Sequence, residues 1–239
     1  MSDAATNPGR ESIWARPERG ARGPAPGHSR EAIVAAAVAL ADSHGLAAVS
    51  MRAVATELGT GAGTLYRYLS GRDDLLDLMA DRVVGELMPF PAVPDPGVAN
   101  ASPAGGAAAA GWLDRMLALA RRQLMLFQAH PWLVELVRRG VSPGPNTLGY
   151  LDHCLDILRP VRCSATAKFE AMAMVTGVVS LFARAGASAG SVTFAGLDLA
   201  AYPHLVAAFA EPAGPVPRQD LFERTLRGLL SGLLGTGQR

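Results

Sequence analysis

The sequence predicts an all-α protein, and three observations carry that expectation. No stretch sustains the period-two alternation of a half-buried strand, while apolar residues recur at helical spacing from Ser29 to Leu234. Alanine fills much of a hydrophobic fraction of 49%, which favours closely packed helices over a sheet sandwich. The periodic stretches are punctuated by Gly, Pro and capping residues of the kind that begin and end helices.

Residues 1–28 carry four Pro, four Gly and four Arg and little to bury, so they read as a flexible arm. A first helix is predicted from Ser29, a good N-cap, to His44, with Ile33, Val34, Ala37, Leu40 and Ala41 as its apolar stripe. Ser50 caps a second helix that Gly59 ends, and a third spans about 62–69. Ser70 with Asp73 resembles a capping box for a fourth helix carrying Leu75, Leu76, Met79, Val83 and Leu87, which Pro89 stops. Residues 89–106 hold five prolines and mark a linker between 29–88 and a second domain, 107–239. In that domain helices are expected at about 107–128, 131–137, 147–158, 164–188, 196–210 and 218–234, with a loop over 140–146.

Composition narrows function by exclusion. Two cysteines, Cys154 and Cys163, are too few for a disulfide framework or a zinc site, and no metal set is evident. The N-terminal stretch lacks the apolar run of a signal peptide. The longest uncharged apolar stretch, between Glu170 and Arg184, is 13 residues long and falls short of a membrane span, so a cytoplasmic protein is expected. Asp152, His153 and Cys154 are consecutive on a helix, so their side chains diverge and form no catalytic relay. With no phosphate-binding glycine loop or nucleophile elbow either, no enzyme and no cofactor are expected.

Residues 50–72 carry the most specific signal. Two short helices with a glycine between them have the layout of a helix-turn-helix, with Val54 and Leu65 burying the inner faces. The same spacing also suits an ordinary helical corner. Net charge does not decide, because residues 1–88 carry nine Arg against eleven acids. Within 50–72, however, Arg52, Arg67 and Arg72 face only Glu57.

The residues themselves add to the spacing. Ser29-Arg-Glu-Ala-Ile33, Ala41-Asp-Ser-His-Gly45, the run from Ser50 to Gly59, Gly63-Thr-Leu-Tyr66 and Leu69-Ser-Gly-Arg-Asp-Asp-Leu75 resemble the TetR (tetracycline-repressor) family of transcription regulators. His130-Pro-Trp-Leu133 and Gly144-Pro-Asn146 are similar to its C-terminal domain. The resemblance implies a homodimer that binds double-stranded operator DNA and is released by a small-molecule effector. It implies DNA contacts at Arg52, Gly61, Ala62, Gly63, Thr64, Tyr66, Arg67 and Tyr68, and a phosphate contact at Arg72. Gly61-Ala-Gly63 offers no side-chain hydrogen bond at the leading edge of the third helix, so Arg67 is the expected guanine reader. Arg10, Arg16, Arg19 and Arg22 form an arm suited either to a minor groove or to plain solvation.

In the second domain, Trp112, Met116, Gln123, Phe127 and Trp132 are candidates to line a pocket for a hydrophobic or aromatic effector. Met172, Val175, Val179 and Phe182, with Leu226, Leu229, Leu230 and Leu233, are candidates for a two-fold dimer interface. The alternative is a small-molecule-binding helical protein whose helix-turn-helix is vestigial.

Overall fold

The computed structural model describes residues 12–15, 28–90, 111–185, 201–210 and 220–234, and every regular element among them is helical. The first four helices form the head: α1 (Arg30–His44), α2 (Met51–Glu57), α3 (Ala62–Leu65) and α4 (Arg72–Val84). Six more follow: α5 (Trp112–Ala129), α6 (Leu133–Arg139), α7 (Pro145–Ile157), α8 (Ala165–Ala185), α9 (Pro203–Ala210) and α10 (Leu221–Leu234).

The caps explain the starts of α1 and α2. Ser29 accepts from the Ala32 amide and Ser50 from the Ala53 amide, both at 3.1 Å, satisfying donors that the helices leave open. The start of α4 differs from the expected Ser70–Asp73 box. Gly71 is its N-cap and offers no side-chain bond; instead Asp74 reaches back to the Ser70 amide at 2.7 Å. A carboxylate at the third helical position serves that amide, as in the reciprocal half of a capping box. The third helix is shorter than expected. After Leu65, Arg67 and Tyr68 bond back to Thr64 and Leu65 in the tighter three-residue pattern.

Buried apolar side chains run as one cluster from the head into the bundle, with no gap at the expected domain boundary. In the head, α1 packs on α2 and α4, and α2 on α3. In the bundle, α5, α8 and α10 pack on one another through Met116, Ala120, Val175, Val179 and Leu226. α4 joins the two through contacts with α6 and α7. Each fully buried leucine or methionine in such a cluster contributes about 2 kcal/mol through area removed from water.

α8 has the length and composition to cross a membrane, with a mean hydropathy of 1.3 over Ala165–Arg184. In the structure it packs into the bundle along one face and leaves the opposite face open.

The N-terminal stretch also departs from expectation. Ser12 precedes a single 3-10 turn, Ile13–Ala15, whose Ile13 is only 1% exposed and belongs to the core. The rest of the expected arm, including Arg10, Arg16, Arg19 and Arg22, and most of the expected linker lie outside the described residues.

Candidate nucleic-acid interface and its link to the helical bundle

The helix-turn-helix is assembled from the inside out. Val54 and Leu65 are wholly buried and set the angle between α2 and α3. Gly59 takes φ +64 in the turn, a left-handed conformation that a side chain would strain, and bonds back to Thr56 O at 3.0 Å. Thr60 donates to Thr64 Oγ1 at 3.2 Å and ties the turn to the start of α3. With the inner face filled, Arg52, Gly61, Gly63, Tyr66 and Arg67 are exposed, and Tyr66 is 56% exposed. Ala62, Thr64 and Tyr68 are half-buried at the margin of the same surface.

Arg72, the candidate phosphate contact, is half-buried at the start of α4. Its Nε donates to Val49 O at 2.9 Å and its second guanidinium nitrogen to Leu46 O at 3.1 Å. The side chain therefore clamps the start of α4 to the segment between α1 and α2.

The acids of α4 explain the joint to the bundle. Asp77 accepts from the Ser142 amide at 3.0 Å. Asp81 accepts from the amides of Asn146 and Thr147 and from the Thr147 hydroxyl, at 3.2, 2.8 and 2.8 Å. Those amides open α7, so a buried carboxylate sits where the helix presents its positive end. Asn146 in turn donates to Asp81 O at 3.0 Å. Spacing gave no sign of this role: Asp77 and Asp81 look like solvated charges until their partners, some 65 residues away, are in place.

His130 and Trp132 close the joint from the other side. Ring nitrogens of His130 lie 2.7 Å from Asp42 of α1 and 3.3 Å from Glu86 beyond α4, and Trp132 Nε1 donates to Asp42 at 2.6 Å. The two carboxylates meet opposite sides of the ring, so the trio bridges elements and does not converge on a cation. Trp132, a candidate pocket residue, is buried, and its indole N–H ties the bundle to Asp42 of the head.

Three polar side chains meet inside the bundle. Tyr150 donates to Gln123 Oε1 at 3.3 Å, and Gln123 Nε2 donates to Thr176 Oγ1 at 3.2 Å. Gln123 was expected near a pocket; Tyr150 and Thr176 were not singled out. Met116 and Phe127 are buried on the same helix, and Trp112 is half-buried at its start. Burial pushes the Tyr150 hydroxyl well above its usual range and the neighbouring Cys154 thiol up to about 12, so both stay protonated. Phe90 stacks on His153 with ring centroids 4.5 Å apart, and burial pulls the His153 imidazole below its usual range.

The expected dimer residues divide. Met172, Val175, Val179, Leu226 and Leu230 are buried within the subunit, and Phe182 meets Phe222 edge-on at 5.3 Å. Leu229 is half-buried, and Leu233 is the one exposed member of the set. The open face of α8 presents Phe169, Ala173, Met174, Gly177 and Leu181 instead.

The arrangement of a small helix-turn-helix head on an acidic connecting helix and a larger bundle matches two family models. Residues 33–79 match the bacterial regulatory proteins of the tetR family, and residues 105–236 match the tetracyclin repressor-like C-terminal domain. The chain belongs to the tetR family of bacterial regulatory proteins. Among tetR-family relatives, the HTH-type transcriptional repressor DrrR1 of Streptomyces coeruleorubidus is 36% identical over 169 residues, covering 71% of this chain and 57% of that protein. The chain spans little more than half the length of the curated relatives it matches. Apo ActR from Streptomyces coelicolor superposes with a TM-score of 0.66 at 28% identity, covering 89% of this chain and 98% of that one. ActR in complex with actinorhodin gives 0.65 at 28% identity, covering 89% and 99%.

Proposed function

We propose that this protein is a dimeric, effector-responsive transcriptional repressor that binds operator DNA through α3. The observation that carries this reading is the surface shared by Arg52, Tyr66 and Arg67, exposed on a helix-turn-helix whose inner face is fully packed. Arg67 supplies the guanidinium suited to a guanine edge, and the Tyr66 hydroxyl is suited to a phosphate. Kinship with a named repressor supports the sign of regulation.

The effector is a hydrophobic or aromatic molecule bound in the bundle, where Met116 and Phe127 supply apolar wall and Gln123, Tyr150 and Thr176 supply polar contacts. The actinorhodin complex of ActR supports an aromatic ligand. The dimer forms through the open faces of α8 and α10. Only 22% of the apolar window Ala165–Arg184 is buried in one subunit, and Ala173 and Gly177 allow a second helix to approach closely.

A gel shift against the DNA upstream of the protein's own gene tests the reading. Arg67→Ala is expected to weaken specific binding about tenfold to a hundredfold and to relax specificity at one base pair. Tyr66→Phe should weaken binding to all sequences alike. Retention of full affinity in both variants would return the helix-turn-helix to the vestigial reading. The arm is tested by Arg19→Ala with Arg22→Ala, because deleting residues 1–26 would also remove the core residue Ile13.

A further inference from the structure

Trp14 lies across the joint between head and bundle. Its indole N–H donates to Ser142 O at 3.4 Å, 128 residues further along the chain. Its ring and the Asp81 carboxyl pack so tightly against Gly144 that a Cβ there would overlap both. Gly144 has an ordinary extended backbone, so the glycine is required by this close approach and not by conformation.

Held there, Trp14 walls a cleft of about 510 Å³ between α1, α4 and α7. That volume suits a small molecule of two or three fused rings. Val34, Leu78 and Met88 give the cleft an apolar lining, with Arg30 and Arg82 beside it. Its carboxylates are already engaged. Glu31 is held by backbone and Ser29 hydrogen bonds at the start of α1, Asp81 by Asn146 and Thr147, and Glu86 by His130. Arg82 is exposed and makes no hydrogen bond or close ion pair among the described residues.

We propose that this cleft is a binding site for a planar aromatic acid, its rings against Trp14, Val34 and Leu78 and its anionic group on Arg82. The site is separate from the Gln123–Tyr150–Thr176 cluster in the bundle and does not depend on the DNA-binding reading. Its position gives it leverage. The guest touches α1 and α4 directly, and Glu86 of its wall also holds His130, so occupancy bears on how the head sits on the bundle.

Isothermal titration of the full chain with 2-anthracenecarboxylate tests the site, with 2-anthracenecarboxamide as the uncharged control. The acid is expected to bind one equivalent per subunit and the amide about tenfold more weakly. Arg82→Gln should abolish the preference for the acid over the amide. Trp14→Ala should weaken both ligands. Gln123→Ala should leave both unchanged. Arg82 is exposed, so that variant keeps its fold, which circular dichroism checks. Absence of binding to the wild-type chain would overturn the proposal. So would binding that survives Trp14→Ala and Arg82→Gln but is lost in Gln123→Ala, since the ligand would then sit in the bundle. The gel shift with no ligand added reads DNA binding independently of either result.

Discussion

A methyl group at Gly63 would meet nothing within 4 Å, and its backbone is one that any residue adopts. Inside α3 a glycine is a worse helix former than alanine by about 1 kcal/mol. The fold therefore does not ask for it. Gly63→Ala is expected to raise the stability of the free protein by about 0.5–1 kcal/mol in urea titration while weakening operator binding, because the bare edge lets DNA approach the backbone. Greater stability with unaltered affinity would place Gly63 outside the interface. Gly144 is the opposite case: there the fold does require glycine, through Trp14. Both were visible as glycines in the sequence, and only the space around each separates a functional reason from a packing one. Arg72 teaches the same lesson. Its type and position resemble a phosphate contact, yet two nearby carbonyls hold its guanidinium.

At the scale of elements, α8 and α10 are apolar over much of their circumference, so periodicity names the helices without choosing the face. The structure chooses. Val175, Val179, Leu226 and Leu230 go inward, leaving Met174, Leu181 and Leu233 exposed. Leu181, at 62% exposure, is the best probe of the proposed dimer. Leu181→Glu acts once in each subunit of a two-fold interface, so the dimer should weaken about a hundredfold or more, read by analytical ultracentrifugation. The subunit's own melting temperature should change little. Met172→Glu, by contrast, buries a charge inside the subunit and should lower the yield of folded protein. A dimer that survives Leu181→Glu would move the interface elsewhere.

Across the whole molecule, the joint depends on α4. Asp77 and Asp81 receive the loop before α7 and its opening amides, while His130 and Trp132 reach Asp42 on α1. One continuous core and these bonds predict that head and bundle unfold as a single cooperative unit. Calorimetry should show one transition. Asp81→Ala leaves three donors without their acceptor and should cost about 2–3 kcal/mol, or roughly 6–10 °C in melting temperature. Two resolved transitions in the wild-type chain would contradict the shared core.

The outward roles of Tyr66 and Arg67 came from the family resemblance; helix content, the glycine at the turn, and the inward Val54 and Leu65 were legible from order and type alone. They rest on interactions within a few residues, and those are encoded by local spacing. Ile13 in the core, Trp132 as a clamp, the sockets of Asp77 and Asp81, and the open face of α8 were decided by tertiary structure. Each depends on a partner that the chain brings back from far along the sequence, and a buried carboxylate or an exposed leucine has meaning only once that partner, or its absence, is in place.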